Sequence, residues 1–315
     1  MPYVALPPAT RASRLAAARE RWAAILLARP DLAPAIELQR HLLEPVIALA
    51  DTIEHGRVPR LSLPPRYVAA KLGKGIPALA GEPIPVPTAV LKPTLLALCQ
   101  ELGRGGAGDA AHHIFTAIDA GKLDAGSLLS ASLGRDQHAI KTGGVHRGLA
   151  PDLLWLVAEL AVSPFAYALQ QTLVAPPQRG PRPDDALMIA LDGWRQGYCP
   201  VCGSWPALVE TMAEARILRC SFCALAWSLD DAGCLYCGEA GPAFNRSCPD
   251  PARQDRRLES CGRCKSYVKA IDVDELAPFP LLAIADLETM DLDVLAMQQG
   301  FQRPHIKAFA AAKAV

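Results

Sequence analysis

The sequence predicts an α+β fold, with an all-helical first part and a strand-rich, metal-binding second part. Three observations carry this. Alanine- and leucine-rich stretches with helical periodicity fill residues 1–175. A run rich in proline and glycine, residues 175–183, then interrupts the chain. Beyond it lie nine of the ten cysteines, between Cys199 and Cys264, among short runs of strand character. A length of 315 residues suits about two domains. The 51% hydrophobic composition supplies a sizeable core, which excludes wholesale disorder. Lys+Arg and Asp+Glu both total 32, so the whole chain offers no net-charge footprint for non-specific binding to nucleic acid or a membrane surface.

The helices follow in order. Residues 16–27 form the first, stopped by Pro30, and residues 33–55 the second, stopped by Gly56. Ile36, Leu38, Leu42, Leu43, Val46, Ile47 and Leu49 are the expected buried set of the second. Residues 59–93, rich in proline, read as a long irregular connection. Helices resume at 94–102, 109–120, 127–140 and 151–174, with Asp109 and Ser127 as expected N-caps and Pro151 in a first turn. The most apolar stretch, 153–174, is interrupted by Glu159, Pro164, Gln170 and Gln171, unlike a membrane span. The N-terminus lacks the cationic start and apolar core of a signal peptide, so a soluble, cytoplasmic protein with no membrane insertion is expected.

The expected domains are therefore a helical domain at 1–175, a linker at 176–186, and two small modules at 187–230 and 231–315. Strand-like runs fall at 207–210 and 215–219. The second module closes with an acidic helix over 281–299, whose Asp286, Glu288, Asp291 and Asp293 read as a solvated face.

Four Cys-x-x-Cys pairs carry the chemistry: Cys199/Cys202, Cys220/Cys223, Cys234/Cys237 and Cys261/Cys264. Two intervening residues let one tight turn aim both sulfurs at one ion, and two such turns complete a tetrahedral site. All seven histidines lie outside residues 147–304, so the ligand set would be four thiolates, which select zinc or iron. Pairs one and three are each followed by glycine, Gly203 and Gly238, while pairs two and four follow Arg- and Leu-bearing runs and precede Trp227 and Tyr267. That alternation favours Cys199/Cys202 with Cys220/Cys223, and Cys234/Cys237 with Cys261/Cys264, over an interleaved pairing. The spacings suit zinc-ribbon or rubredoxin-like hairpins, and two metal ions per chain are expected. Cys99 and Cys248 stand outside every pair and read as ordinary thiols. A thioredoxin-type dithiol would need a helix after the pair, and Gly203-Ser204-Trp205-Pro206 starts none. His41, His112, His113 and His138 lie in helical stretches without partner carboxylates or cysteines in sequence. No phosphate loop, dinucleotide fingerprint or nucleophile elbow occurs, so neither catalytic nor organic-cofactor residues are expected.

The flanks of the pairs add a resemblance. Cys199-Pro-Val-Cys-Gly-Ser-Trp-Pro206, Leu218-Arg-Cys-Ser-Phe-Cys223, Cys234-Leu-Tyr-Cys-Gly238 and Cys261-Gly-Arg-Cys-Lys-Ser-Tyr-Val-Lys269, in that order, resemble the FdhE family of formate dehydrogenase accessory proteins. The closing Ala285-Asp-Leu-Glu-Thr-Met-Asp-Leu-Asp-Val-Leu295 and the run Ala150-Pro-Asp-Leu-Leu-Trp155 are similar to the same family. The resemblance implies a cytoplasmic maturation factor, chaperone-like rather than enzymatic, that contacts the catalytic subunit of formate dehydrogenase. It also implies two rubredoxin-like sites holding iron, with the eight paired cysteines as ligands and Cys248 excluded. Three other functions stay open, a hydrolase or transferase ranking last because no catalytic constellation is present. The basic residues Arg246, Arg253, Arg256, Arg257, Arg263, Lys265 and Lys269 suit a nucleic-acid-binding zinc ribbon. A rubredoxin-like iron centre suits electron transfer.

Overall fold

The computed structural model describes residues 3–4, 6, 9–56, 61, 63–174, 185–229 and 233–306. They fall into two compact units.

The helical unit comprises residues 9–56 and 79–174. It contains α1 (Arg11–Ala28), α2 (Ala33–His55), α4 (Thr88–Leu102), α5 (Gly108–Asp119), α6 (Ala125–Leu133), α7 (Gln137–His146) and α8 (Pro151–Val174). α8 is its centre, packed by α2, α4, α6 and α7 and burying Val157, Ala158, Ala161, Val162 and Phe165. By length and composition α8 could cross a membrane, but 67% of its most apolar window is buried, as in the core helix of a folded domain. In α2 the buried set is Ile36, Leu43, Val46, Ile47, Leu49, Ala50 and Ile53; Leu38 and Leu42, expected among them, are only half-buried.

Several boundaries differ from the sequence expectation. The connection over 59–93 is not irregular throughout: Pro65–Gly73 forms α3, with proline in its first turn, and α4 begins at Thr88, ahead of Pro93. Residues 57–60 and 62 of that segment lie outside the described residues. The stretch 127–140 breaks at Arg135, whose φ of 60° cannot continue a helix, giving α6 and α7. Their caps are Asp124 and Asp136, which accept from the backbone N–H of Ser127 and Ala139 at 2.8 and 3.0 Å. Ser127 is thus the capped residue and not the cap, and Asp109 lies inside the first turn of α5.

The second unit gathers residues 63–78 with those from 185 onward and the first few residues. The helix α3 therefore belongs here, although the sequence reading assigned it to the helical domain. Of the expected linker, residues 176–184 lie outside the described residues, and α9 (Asp185–Asp192) takes up its end. The strands are β1 (Tyr3–Val4), β2 (Pro206–Met212), β3 (Ala215–Cys220), β4 (Ala226–Ser228), β5 (Phe244–Ser247), β6 (Arg256–Cys261) and β7 (Tyr267–Asp272). They make a single sheet in the order β1-β4-β3-β2-β7-β6-β5. Each expected module keeps its own antiparallel strands, β4-β3-β2 and β7-β6-β5, and a parallel pairing of β2 with β7 joins them edge to edge.

The closing helix is two helices, α10 (Leu282–Glu288) and α11 (Met290–Gln298). They part at Thr289, whose hydroxyl bonds back to the Ala285 carbonyl at 2.8 Å. Leu282 and Ala285 pack on Leu208 and Ile271, and Ala296 packs on Leu258 and Tyr267. Of the acidic face expected to be solvated, Asp291 is exposed, but Asp286, Glu288 and Asp293 are paired. Lys269, fully buried on β7, donates to Asp286 at 2.8 Å and Asp293 at 2.5 Å, and Arg303 bonds the same two carboxylates at 2.6 and 2.9 Å. Glu288 pairs with Arg256 at 2.5 Å. A buried lysine needs such partners, and the two helices supply them.

Candidate metal centres

Strand register brings the cysteine pairs together. In the first module Pro206 pairs with Cys220, so the hairpin of β2 and β3 sets the turn before β2 beside the turn after β3. In the second, Phe244 pairs with Cys261 and does the same for β5 and β6. Two groups of four thiols result: Cys199, Cys202, Cys220 and Cys223, and Cys234, Cys237, Cys261 and Cys264, with all Sγ atoms of a group within 4.8 Å of one another. The pairs combine consecutively, not interleaved. Cys248 belongs to neither group; it is exposed, its Sγ 3.2 Å from the Asp250 carbonyl. Cys99 is buried in α4, and burial pushes its thiol up to about 12.

The four turns repeat one backbone pattern. The N–H of each leading cysteine donates to the carbonyl five residues on: Cys199 to Ser204, Cys220 to Leu225, Cys234 to Glu239 and Cys261 to Ser266, at 2.8–2.9 Å. The residue four positions on has a left-handed φ: Gly203 at 80°, Ala224 at 56°, Gly238 at 72° and Lys265 at 58°. Glycine after pairs one and three was the visible signature of this turn. Pairs two and four make the same turn with a side chain in the way, which composition does not reveal. Backbone N–H groups point at the sulfurs: Val201 at Cys199, and Phe222 and Cys223 at Cys220, each at 3.4 Å.

The sulfur spacing tests whether an ion fits. Metal–sulfur bonds of ~2.3 Å place tetrahedral ligands about 3.8 Å apart, whereas a disulfide needs about 2.05 Å. The Sγ separations are 3.6 Å for Cys199–Cys223, 3.4 Å for Cys202–Cys220, and 3.7 Å for both Cys234–Cys264 and Cys237–Cys261. These are edges of slightly compressed tetrahedra and not bonds. Electrostatics agree. Burial pushes the thiols of Cys199, Cys223 and Cys234 well above the ordinary thiol range; a cation held among them would supply the compensation that thiolates need there. At Cys261 burial also acts upward, but the backbone N–H groups of Cys264 and Arg263 outweigh it and hold the thiol below its usual value. Each group can therefore hold one metal ion, two per chain, and the donor set suits iron and zinc alike.

The two groups are held side by side. The Gly197 backbone lies against the Leu235 carbonyl so closely that a Cβ there would come within 1.9 Å of the oxygen. Across the same junction the rings of Tyr198, Trp205 and Tyr236 meet edge to face, with centroids 5.6 and 5.0 Å apart. Sequence spacing carries no signal for this junction.

The basic stretch beside the second group is internally paired. Arg246 bonds Glu259 at 3.1 Å, Arg253 Asp255 at 3.2 Å, and Arg263 Glu239 at 3.4 Å, while Arg257 pairs with Asp272 and Lys265 lies over the Phe301 ring. Of the histidines expected to pack or face solvent, His41 lies 3.3 Å from Glu101 and His112 lies beside Thr116, each within the helical unit.

No family model matches the chain. It is similar to several curated proteins. The FdhE homologue of Aquifex aeolicus is 32% identical over 125 residues, 37% of this chain and 43% of that protein. The homologue of Haemophilus ducreyi is 33% identical over 115 residues, 35% of this chain and 37% of the relative. FdhE of Escherichia coli is 31% identical over 121 residues, 37% and 38% of the two chains. The matched region is thus less than half the length of each relative. Among solved structures, the crystal structure of the FdhE protein from Pseudomonas aeruginosa matches over 100% of both chains with a TM-score of 0.59 at 20% identity, a likeness of fold.

Proposed function

We propose that the chain is a member of the FdhE family, a cytoplasmic accessory protein for formate dehydrogenase that binds the catalytic subunit during its maturation, on the strength of the partial matches to FdhE proteins and the shared fold. The observation that carries this reading is the pair of four-thiol groups built into one sheet. Four thiolates saturate a tetrahedral ion and leave no position for a substrate, which argues for a scaffold and not a catalyst. The eight paired cysteines are the proposed ligands, with iron as the proposed native metal and zinc the alternative. A bound ion would cross-link two turns in each half of the sheet and, if it is iron, would add one-electron chemistry. The protein's own residues do the rest: the hairpin registers aim the sulfurs, the left-handed residues close the turns, and the Lys269–Asp286–Asp293 network fastens α10 and α11 to β7.

The test is affinity capture with the full chain. Zinc-loaded protein should retain the catalytic subunit of formate dehydrogenase and restore activity to extracts lacking the accessory protein, while metal-free protein should do neither. A metal-loaded chain that fails to bind that subunit overturns the reading. A zinc form that binds but does not restore, where an iron form restores, would favour electron transfer. The ring contacts between the two groups give that second reading its support. The nucleic-acid reading loses ground because most cations of the basic stretch already face carboxylates at short range.

A further inference from the structure

We infer that the two four-thiol centres are unequal: the first releases its ion only through local opening, and the second is an exchange site open to thiolate ligands from outside. This rests on the reading that both groups hold metal. In the first group Cys199, Cys202, Cys220 and Cys223 are 0–4% exposed. In the second, Cys234 and Cys261 are buried, but Cys237 is exposed and Cys264 half-buried. These two are the trailing cysteines of their turns, the counterparts of the buried Cys202 and Cys223.

The cause is a strap over the first turn that has no counterpart over the third among the described residues; the fourth turn is met by Gln302, whose N–H donates to the Lys265 carbonyl at 2.9 Å, yet Cys264 stays half-buried. Residues 75–78, following α3, run across the first turn: the Ala78 N–H donates to the Pro200 carbonyl at 2.8 Å, and the Tyr198 hydroxyl donates to the Gly75 carbonyl at 2.7 Å. Ser204, fully buried, closes the other side, its hydroxyl 3.4 Å from the Cys202 sulfur. The matching positions of the second repeat are Gly233 for Tyr198 and Leu235 for Pro200. Gly233 has no hydroxyl to anchor a strap, and the Leu235 carbonyl already abuts Gly197. Among the described residues, no segment covers Cys237.

Ligand exchange at a saturated tetrahedral ion needs a path for the incoming donor. At the second centre an external thiolate forms one metal–sulfur bond as the bond to Cys237 Sγ breaks. The proton shed by the incoming thiol passes to Cys237, and the metal keeps its oxidation state. At the first centre the strap and sheet must open before a donor arrives, so exchange there is limited by local unfolding.

The test uses the full chain loaded with two zinc ions and challenged with EDTA, released zinc being read with a chromogenic chelator. Two phases of equal amplitude are expected, the faster by at least about tenfold, since each tenfold needs only about 1.4 kcal/mol of extra opening cost. Glutathione should accelerate the fast phase alone. Cys237→Ser should bind one ion and show only the slow phase, and Tyr198→Phe should quicken the slow phase several-fold without touching the fast one. Cadmium-113-loaded wild-type protein gives the same answer without substitution: of its two resonances, the one lost first to EDTA should also be the one relaxed by a soluble gadolinium chelate. A single release phase for both ions, a fast phase that survives Cys237→Ser, glutathione without effect, or equal relaxation of both resonances overturns the inference. A wild-type chain that binds no zinc sinks the metal reading itself, a distinguishable result.

Discussion

Left-handed backbone at side-chain-bearing residues is where single positions in this chain carry strain. Ala213 and Glu214, with φ of 46° and 68°, make the two-residue turn between β2 and β3, a position that favours Asn-Gly. Ala224 repeats the conformation inside a cysteine turn. Steric conflict of this kind costs roughly 1–2 kcal/mol per residue, so Glu214→Gly and Ala224→Gly should each raise unfolding stability by about 1 kcal/mol, read as an increased denaturant midpoint with unchanged slope. Neither position announced itself in the sequence, because the expected residue types are missing there. The four Cys-x-x-Cys pairs were legible in the sequence, and the structure groups them two by two. Cys248 lacks a partner two residues away and stands apart in the structure. Cys248→Ser should therefore keep both metal ions, whereas Cys234→Ser should lose one, as measured by metal analysis of protein purified without oxygen. Equal losses in the two variants would refute the ligand assignment.

At the scale of elements, buried charge fixes how the sheet and its helices fit. Glu210 on β2 and Arg219 on β3 form an ion pair of which 0–1% is exposed, and the guanidinium also donates to the Ala277 carbonyl at 2.6 Å. Removing one partner strands the other in an apolar interior. Glu210→Ala should thus cost about 3–5 kcal/mol, and adding Arg219→Met should recover much of that loss in a double-mutant cycle. Asp286 on α10 makes stability depend on pH. Burial alone would raise Asp286, but Arg303 and Lys269 outweigh it and hold its carboxyl below the ordinary value of 3.8. The unfolded chain then binds the proton more tightly than the folded one. The contribution is complete above the unfolded value of about 3.9 and fades as pH falls through the folded one. Asp286→Asn should flatten the acid limb of a stability–pH profile measured beside the wild type. The sequence showed these acids and basic residues but not their pairing, since a run of like charge on a helix reads as solvated until its neighbours across the sheet are known. Helix boundaries differ for a related reason: Pro65 looks like a breaker in a string, yet it opens α3 at a position where the missing N–H costs little, whereas Pro93 lies inside α4, which runs through it at the loss of one helical hydrogen bond.

For the whole molecule, the division into helices and a cysteine-rich part was legible because each half has its own periodicity and composition. What composition could not supply was long-range: the parallel β2–β7 seam that fuses two modules into one sheet, and the recruitment of residues 63–78 into the unit that holds them. Both depend on pairings between residues far apart in the chain. The division has a measurable consequence. The helical unit closes its core around α8 with buried Leu91, Leu95, Ile114 and Phe165 and contains none of the paired cysteines. The sheet unit is built on short strands of three to seven residues, apart from the two-residue β1, and eight thiols sit at its turns. Strands this short supply limited apolar burial, so bound metal contributes directly to the folding free energy of that unit. Stripping the metal should therefore act on one unit. Calorimetry of the loaded chain should show a transition that moves to lower temperature with chelator and rises with added zinc, as linkage requires, alongside a second transition that ignores both. Far-UV circular dichroism of the stripped protein should keep most of its helical signal, while the tryptophan emission of Trp205 and Trp227, both in the sheet unit, shifts to the red. A single transition that follows metal as a whole would mean that the helical unit cannot stand without the sheet.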